Sequence, residues 1–264
     1  MLSVEKQILY LISRTESLSA KDLIRIYEGR GIGSQIVRNA LARLKKERYA
    51  DATARSMYAA TELGREYVAS INGKPRQYER QWDGNWYFVM FEIPETERKK
   101  RDGFRTDLVQ LGYGGVYKGV YASPWEYTEE VLRLGAVHEV LPYLSLTKGE
   151  YLHNPVTSGQ AREIWGLEEV ERLYEEKRDW FDNVFLPSLR GVEESEPEYD
   201  LRLFLKFLEL GDVIAELGLR DPMLPAELLP DDWTNGGTIA RFNETLRRIA
   251  DRIPKESSYR RFVV

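Results

Sequence analysis

Ser34-Gln35-Ile36-Val37-Arg38-Asn39-Ala40-Leu41-Ala42-Arg43-Leu44-Lys45-Lys46 decides how the amino-terminal part of this chain is read. Val37, Ala40, Leu41 and Leu44 recur at helical spacing and share one face. The opposite face carries Gln35, Arg38, Asn39 and Ala42, with Arg43, Lys45 and Lys46 at its margins, and Ser34 reads as the N-cap. Two shorter helical patterns precede it. The first covers Val4 to Ser13, with Ile8, Leu9, Leu11 and Ile12 apolar. The second opens at Ser19, an N-cap with Asp22 three residues on, and its apolar residues Leu23, Ile24, Ile26 and Tyr27 run to the breaker Gly29-Arg30-Gly31-Ile32-Gly33. Two short helices before a third with a polar face suit a helix-turn-helix, whose third helix lies in the major groove. An ordinary helix of a three-helix bundle would show the same face, so the residues that follow matter.

Tyr49–Thr53 and Met57–Ala60 read as two short strands around the polar tip Ala54-Arg55-Ser56, and a fourth helix starts at Thr61 and runs through Leu63, Tyr67, Val68 and Ile71. That order is a winged helix. Arg pairs with guanine, and Asn or Gln with adenine, which makes Gln35, Arg38 and Asn39 the natural base readers. Ser34 at the helix N-terminus, Lys45, Lys46 and Arg48 at its end, and Arg55 on the wing are the candidate phosphate contacts, with Arg43 a further DNA-binding candidate at the margin of the face.

Charge supports that reading. The 264 residues carry a net charge of −5, but residues 1–80 hold 15 Lys and Arg against 9 Asp and Glu, and the remainder is net −11. A basic head on an acidic body suits a polyanion partner. Cysteine is absent, which removes disulfides, thiolate metal sites and Cys nucleophiles and fits a reducing cytoplasm; the two histidines, His138 and His153, leave little for multi-His chemistry. The longest apolar run is the six residues Trp86–Phe91, and MLSVEKQ at the Met1 end shows no signal-peptide pattern, so neither membrane nor export is expected.

Asn72-Gly73-Lys74-Pro75 and the polar stretch to Gly84 read as a linker. Trp86–Ile93 is a strand apolar enough for both its faces to be covered, and Pro94 stops it. A charged helix over Glu95–Leu111 follows, with Phe104, Leu108 and Leu111 inward and Arg98, Lys99, Arg101 and Arg105 available to an anion. Gly112-Tyr113-Gly114-Gly115 is a turn: it follows a helix and enters a strand, the reverse of a phosphate loop. Then come a strand over Val116–Ala122, a helix over Tyr127–Leu134 and a strand over Glu139–Leu146, with Pro142 marking an edge. The pattern predicts a ferredoxin-like α+β sandwich. Glu92 is the one carboxylate that could serve a nuclease metal, and it stands alone.

Helices are predicted over Leu167–Leu186, with the stripe Val170, Leu173, Tyr174, Trp180, Phe181 and Phe185, then over Leu201–Leu217 and Thr238–Ile253. Between the last two, three prolines in Asp221-Pro222-Met223-Leu224-Pro225 through Pro230 call for an ordered connector with its apolar residues packed down. The expected class is therefore a multidomain α+β protein: a winged helix-turn-helix over residues 1–75, a ferredoxin-like domain over 82–155, and a mostly helical dimerisation or effector domain over 160–264. No catalytic constellation, metal site or cofactor is expected.

The chain resembles the PaaX family of bacterial phenylacetic-acid pathway repressors. The resemblance rests on Val37-Arg38-Asn39-Ala40-Leu41-Ala42-Arg43-Leu44, on Phe91-Glu92-Ile93-Pro94-Glu95 with Arg98, Arg101 and Arg105, and on Gly112-Tyr113-Gly114. Tyr121-Ala122-Ser123-Pro124 and Asp221-Pro222-Met223-Leu224-Pro225 with Leu228-Leu229-Pro230 and Trp233 complete it. The chain departs from the family in having Thr234-Asn235-Gly236-Gly237 after Trp233 in place of Pro-Gly, and no basic run before Asp221. The resemblance implies a cytoplasmic homodimeric repressor on a palindromic double-stranded operator, and a middle domain like the Cas2 nucleases in fold without their activity. It also implies release by an aryl-CoA thioester, phenylacetyl-CoA in the namesake case; the phosphates of such a ligand need cations, and the charged helix bearing Arg98, Lys99, Arg101 and Arg105 is the candidate to supply them. A metal-dependent nuclease using Glu92 and an architectural DNA-binding protein without a ligand are the competing expectations.

Overall fold

The structure, a computed structural model, describes residues 3–263. Met1 and Leu2, on which part of the signal-peptide reading falls, and Ile71, placed on the apolar face of the fourth helix, lie outside the described backbone and side chains respectively. The chain divides into two compact units. One comprises residues 1–72, 175–216 and 237–264; the other comprises 73–174 and 217–236.

In the first unit, α1 (Val4–Ser13) is capped by Ser3, and α2 (Ala20–Glu28) by Ser19, whose hydroxyl accepts from the Asp22 N–H at 3.0 Å. α3 (Ser34–Lys46) follows a turn in which Gly31 takes φ +73°. β2 (Ala50–Ala54) and β3 (Met57–Ala60) form the wing, with a register shift between Ala52 and Ala54, and α4 (Glu62–Gly73) closes the head. A two-residue strand absent from the sequence reading, β1 (Leu18–Ser19), pairs with β3 and makes the sheet order β1-β3-β2. Ile8, Leu11, Leu23, Val37, Leu41 and Ala50 are buried in its core.

The same unit contains tail helices packed through aromatic rings. Phe181 stacks on Phe242 with centroids 4.4 Å apart, and Phe204 stacks on Tyr259 at 5.0 Å and Phe262 at 5.2 Å. Phe181 begins a π-helical turn, Phe181–Phe185, between α8 (Leu167–Trp180) and α9 (Leu186–Arg190). There the Leu186 N–H reaches the Phe181 carbonyl, and Pro187, which has no N–H, follows in the next position. α10 (Tyr199–Arg220) and α11 (Asn235–Arg252) complete the helical set.

The second unit has the order β4 (Trp86–Phe91), α5 (Arg98–Leu111), β5 (Gly114–Tyr117), β6 (Val120–Ser123), α6 (Thr128–Val137) and β7 (Leu144–Gly149), followed by the short helix α7 (Ser158–Ile164). The sheet is antiparallel in the order β5-β6-β4-β7, a ferredoxin-like arrangement. The single strand expected over Val116–Ala122 is a hairpin instead. It turns at Lys118-Gly119, where Gly119 has φ +72° and a Cβ would lie 2.6 Å from the Phe91 carbonyl oxygen. The expected strand over Glu139–Leu146 starts later, because Leu141–Tyr143 forms a 3₁₀ turn around Pro142; β7 is an edge strand. Val89, Phe91 and Tyr121 face Phe104, Leu108 and Val131, while Trp86, Phe88 and Ala122 face Ala161, Leu167, Leu224 and Leu228. Both sheet faces are covered, which explains the apolar β4. The stretch read as a linker is built into this unit: Lys74–Glu79 is a 3₁₀ helix whose Lys74 ammonium donates to the Gln110 carbonyl at 2.7 Å. Polar residues there read as a spacer because their buried partners are distant in sequence.

Candidate nucleic-acid interface

α3 owes its orientation to its apolar stripe. Val37, Ala40, Leu41 and Leu44 are at most 2% exposed, so Gln35, Arg38, Asn39, Arg43, Lys45 and Lys46 project outward. Burial of these four side chains leaves no other rotation of the helix that avoids exposing them. The polar side chains are organised among themselves. Gln35 donates to the Asn39 amide oxygen at 2.9 Å, and Arg38 donates to the Ser34 hydroxyl at 3.2 Å. Both pairs are four residues apart and exposed, so a base edge can replace either partner at small cost.

The structure differs from the expected cap. Gly33, with φ −69° and ψ 152°, is the N-cap; Ser34 is the first helical residue and its hydroxyl serves Arg38. No side-chain hydrogen bond caps α3, although the Ile36 N–H donates to the Gly33 carbonyl at 3.0 Å. At the other end Arg43, Lys45 and Lys46 fill the last turn, where the helix dipole favours cations. Arg43 also donates to Glu5 at 2.7 Å and is 70% exposed. Partial burial disfavours the ionised Glu5, but hydrogen bonds from its own backbone and from Arg43 outweigh this and hold the carboxyl below its usual range. Arg55 is exposed at the wing tip beside Ser56, which adopts φ 60°; the Ser56 carbonyl accepts from the Ala20 N–H at 2.9 Å and ties the tip to the start of α2.

The cations of α5 have a different setting. Arg98 and Arg101 share the carboxylates of Glu95 and Asp102, with Arg101 2.7 Å from Glu95. Arg105 donates to the Tyr121 hydroxyl at 2.7 Å, and Lys99 is exposed. Arg98, Arg101 and Arg105 lie on one face of the helix, while Lys99 is turned about 100° from Arg98. Glu92 is exposed, and among the described residues no group of three or more His, Asp or Glu side chains lies close enough together to hold a metal.

A buried polar cluster in the second unit escaped the sequence reading. The Asp221 carboxylate accepts from the Tyr78 hydroxyl, the Tyr174 hydroxyl at 2.8 Å and the Met223 N–H at 2.7 Å, and Trp233 donates to the Tyr78 oxygen at 3.0 Å. Met223 takes φ 55°, and its carbonyl accepts from the Trp125 indole at 2.6 Å. Burial pushes the Asp221 carboxyl up, and burial pushes the Lys74 ammonium down to about 7, with Asp221 partly opposing. The three prolines signalled an ordered segment; nothing local signalled Tyr78, Tyr174 or Lys74 as its partners.

A winged helix-turn-helix and a ferredoxin-like sheet thus occur in one chain with a helical tail. Residues 79–161 match the PaaX protein central Cas2-like domain, and residues 165–255 match the PaaX-like protein C-terminal domain. The chain belongs to the PaaX family. It is 28% identical over 225 residues to the transcriptional repressor PaaX of Escherichia coli (strain K12), covering 80% of this chain and 67% of that protein. A solved structure of an uncharacterized protein from Mycobacterium tuberculosis is similar in fold, with a TM-score of 0.50 at 20% identity over 93% of this chain and 94% of that one.

Proposed function

We propose that the chain is a cytoplasmic, homodimeric, DNA-binding repressor of a catabolic operon for phenylacetate or a related aromatic acid. Its operator is a palindromic duplex, read by Gln35, Arg38 and Asn39 and held through phosphates by Ser34, Arg43, Lys45, Lys46 and Arg55. The observation that carries this reading is α3, which turns an apolar stripe inward and presents a hydrogen-bonding and cationic face outward beside the wing. Likeness to the Escherichia coli repressor supports it.

Release comes from an aryl-CoA thioester such as phenylacetyl-CoA, with Arg98, Lys99, Arg101 and Arg105 as the cations for its phosphates. Arg98 and Arg101 would exchange exposed ion pairs for phosphate oxygens, and such pairs are worth about 0–1 kcal/mol each, a small barrier to exchange. The ligand must bind the DNA-incompetent arrangement more tightly than the DNA-bound one, since equal affinity shifts nothing. Selection of duplexes from a random pool with the full chain, followed by gel-shift titration with a panel of aryl-CoA thioesters, tests both parts. A recovered palindrome and its release by one thioester are expected. Failure to enrich any duplex refutes the DNA reading, and unchanged affinity across the panel refutes the thioester.

A further inference from the structure

The turn between α2 and α3 fixes where α3 points, and one of its residues is an arginine that does not face solvent. Three backbone bonds close this turn: Arg30 N–H to the Tyr27 carbonyl at 3.0 Å, Gly31 N–H to Glu28 at 2.9 Å, and Ile32 N–H to Tyr27 at 2.9 Å. The Arg30 guanidinium then spans two other helices. One nitrogen donates to the Gln7 amide oxygen on α1 at 2.8 Å, and another donates to the Asp212 carboxylate on α10. The two charged side chains are only 14% and 12% exposed. Below them lies Tyr27, fully buried, with its ring 5.8 Å from the guanidinium.

α10 meets the same turn a second time. Leu205 lies seven residues before Asp212, two helical turns away on the same face. A Cβ at Gly29 would come within 2.9 Å of a Leu205 methyl, so glycine at the end of α2 lets the tail helix approach. Burial pushes the Asp212 carboxyl up to about 6, short of neutrality because Arg30 stands beside it, so the pair carries both charges at neutral pH. A buried charge pair is held strongly only while both partners are present.

We propose that Arg30 and Asp212 are positioning residues for the recognition helix, a clamp through which tail helix α10 holds the turn that sets the presentation of α3 to DNA. The clamp rests on the DNA-reading assignment of α3, and it gives the tail a grip on the turn that leads into that helix. Arg30 is therefore one basic residue of the head that does not serve phosphate.

The test uses the full chain with duplexes selected by the parent protein and scrambled duplexes of equal length. Arg30→Met and Asp212→Leu each leave one charge buried alone, whereas the double variant Arg30→Met/Asp212→Leu replaces the pair by apolar packing, which folds tolerate well. At a temperature well below each variant's melting point, each single variant is expected to lose about 10-fold in preference for the selected duplex, the scale of one weakened base contact. Scrambled-duplex binding and its salt dependence stay unchanged, and the double variant regains preference. Amide exchange at residues 30–32 should quicken in the single variants. Folded single variants with the parental preference would overturn the clamp. So would Arg30→Met weakening all duplexes and reducing the salt slope by about one while Asp212→Leu does neither, because Arg30 would then be a phosphate contact. If the parent enriches no duplex, the DNA reading fails; slowed or unchanged exchange at the turn would separately refute the clamp.

Discussion

Lys74 provides the sharpest quantitative test of how the second unit is held together. Its ammonium is buried against the Gln110 carbonyl, and burial lowers its pKa from 10.5 to about 7. Between pH 7 and 9 the unfolded chain keeps that proton while the folded chain releases it. The unfolded state then binds more protons, so stability rises with pH. Integrating the difference over those two pH units gives a gain of about 2 kcal/mol, or about 4–8 °C in melting temperature for a chain of this size. Burial pushes the Asp221 carboxyl up, so its contribution has the opposite sign and is lost as pH rises from the ordinary carboxylate range through its folded pKa. Lys74→Met isolates the lysine by difference: the variant should lack the rise and be more stable relative to the parent at pH 7 than at pH 9. Tryptophan fluorescence during urea unfolding is the assay, because Trp82, Trp86, Trp125, Trp165 and Trp233 lie in the second unit and Trp180 alone lies in the first. Parallel pH dependences for parent and variant would refute a lysine titrating near neutrality in the folded chain.

Other outcomes follow from the site geometry. Arg38→Ala should weaken the selected duplex by about 1–3 kcal/mol and relax preference at one base pair, measured by competition across single-base variants. Lys46→Ala should weaken every duplex alike and reduce the salt slope by about one unit, so identical behaviour of the two variants would mean that the reading face is misassigned. Tyr174→Phe removes one of the donors to Asp221 and should lower stability by about 1–2 kcal/mol in the same fluorescence assay, with DNA binding unaffected.

The elements most legible in the sequence were those whose signals are local. Ser19 with Asp22 marked the start of α2, and the stripe through Val37, Ala40, Leu41 and Leu44 gave the outward face of α3. The wing came from strand-forming residues on either side of Arg55 and Ser56. The apolar run of β4 correctly implied a sheet covered on both faces. What was illegible depends on partners far along the chain or on one unusual dihedral. Lys118-Gly119 hides a hairpin because the turn needs only two residues and one positive φ. β1 is two residues long, too short to show any alternation. Gly33 took the cap from Ser34 because the extended backbone comes one residue earlier and the serine hydroxyl found Arg38 instead. Lys74 and Tyr78 read as linker and Arg30 as part of a breaker because their partners Gln110, Asp221 and Asp212 lie 36, 143 and 182 positions away.

The Tyr10 hydroxyl donates to the Phe262 carbonyl across 252 residues. On a ribosome adding about 5–20 residues per second, α1 therefore waits on the order of 10–50 s for that acceptor to be synthesised. For most of that interval the nascent head also lacks Leu205 and Asp212, and the aromatic stack around Phe204 is completed only with Tyr259 and Phe262. A chain that stops short of residue 262 lacks this acceptor, so the full set of contacts in this lobe is complete only when nearly the whole chain has been made.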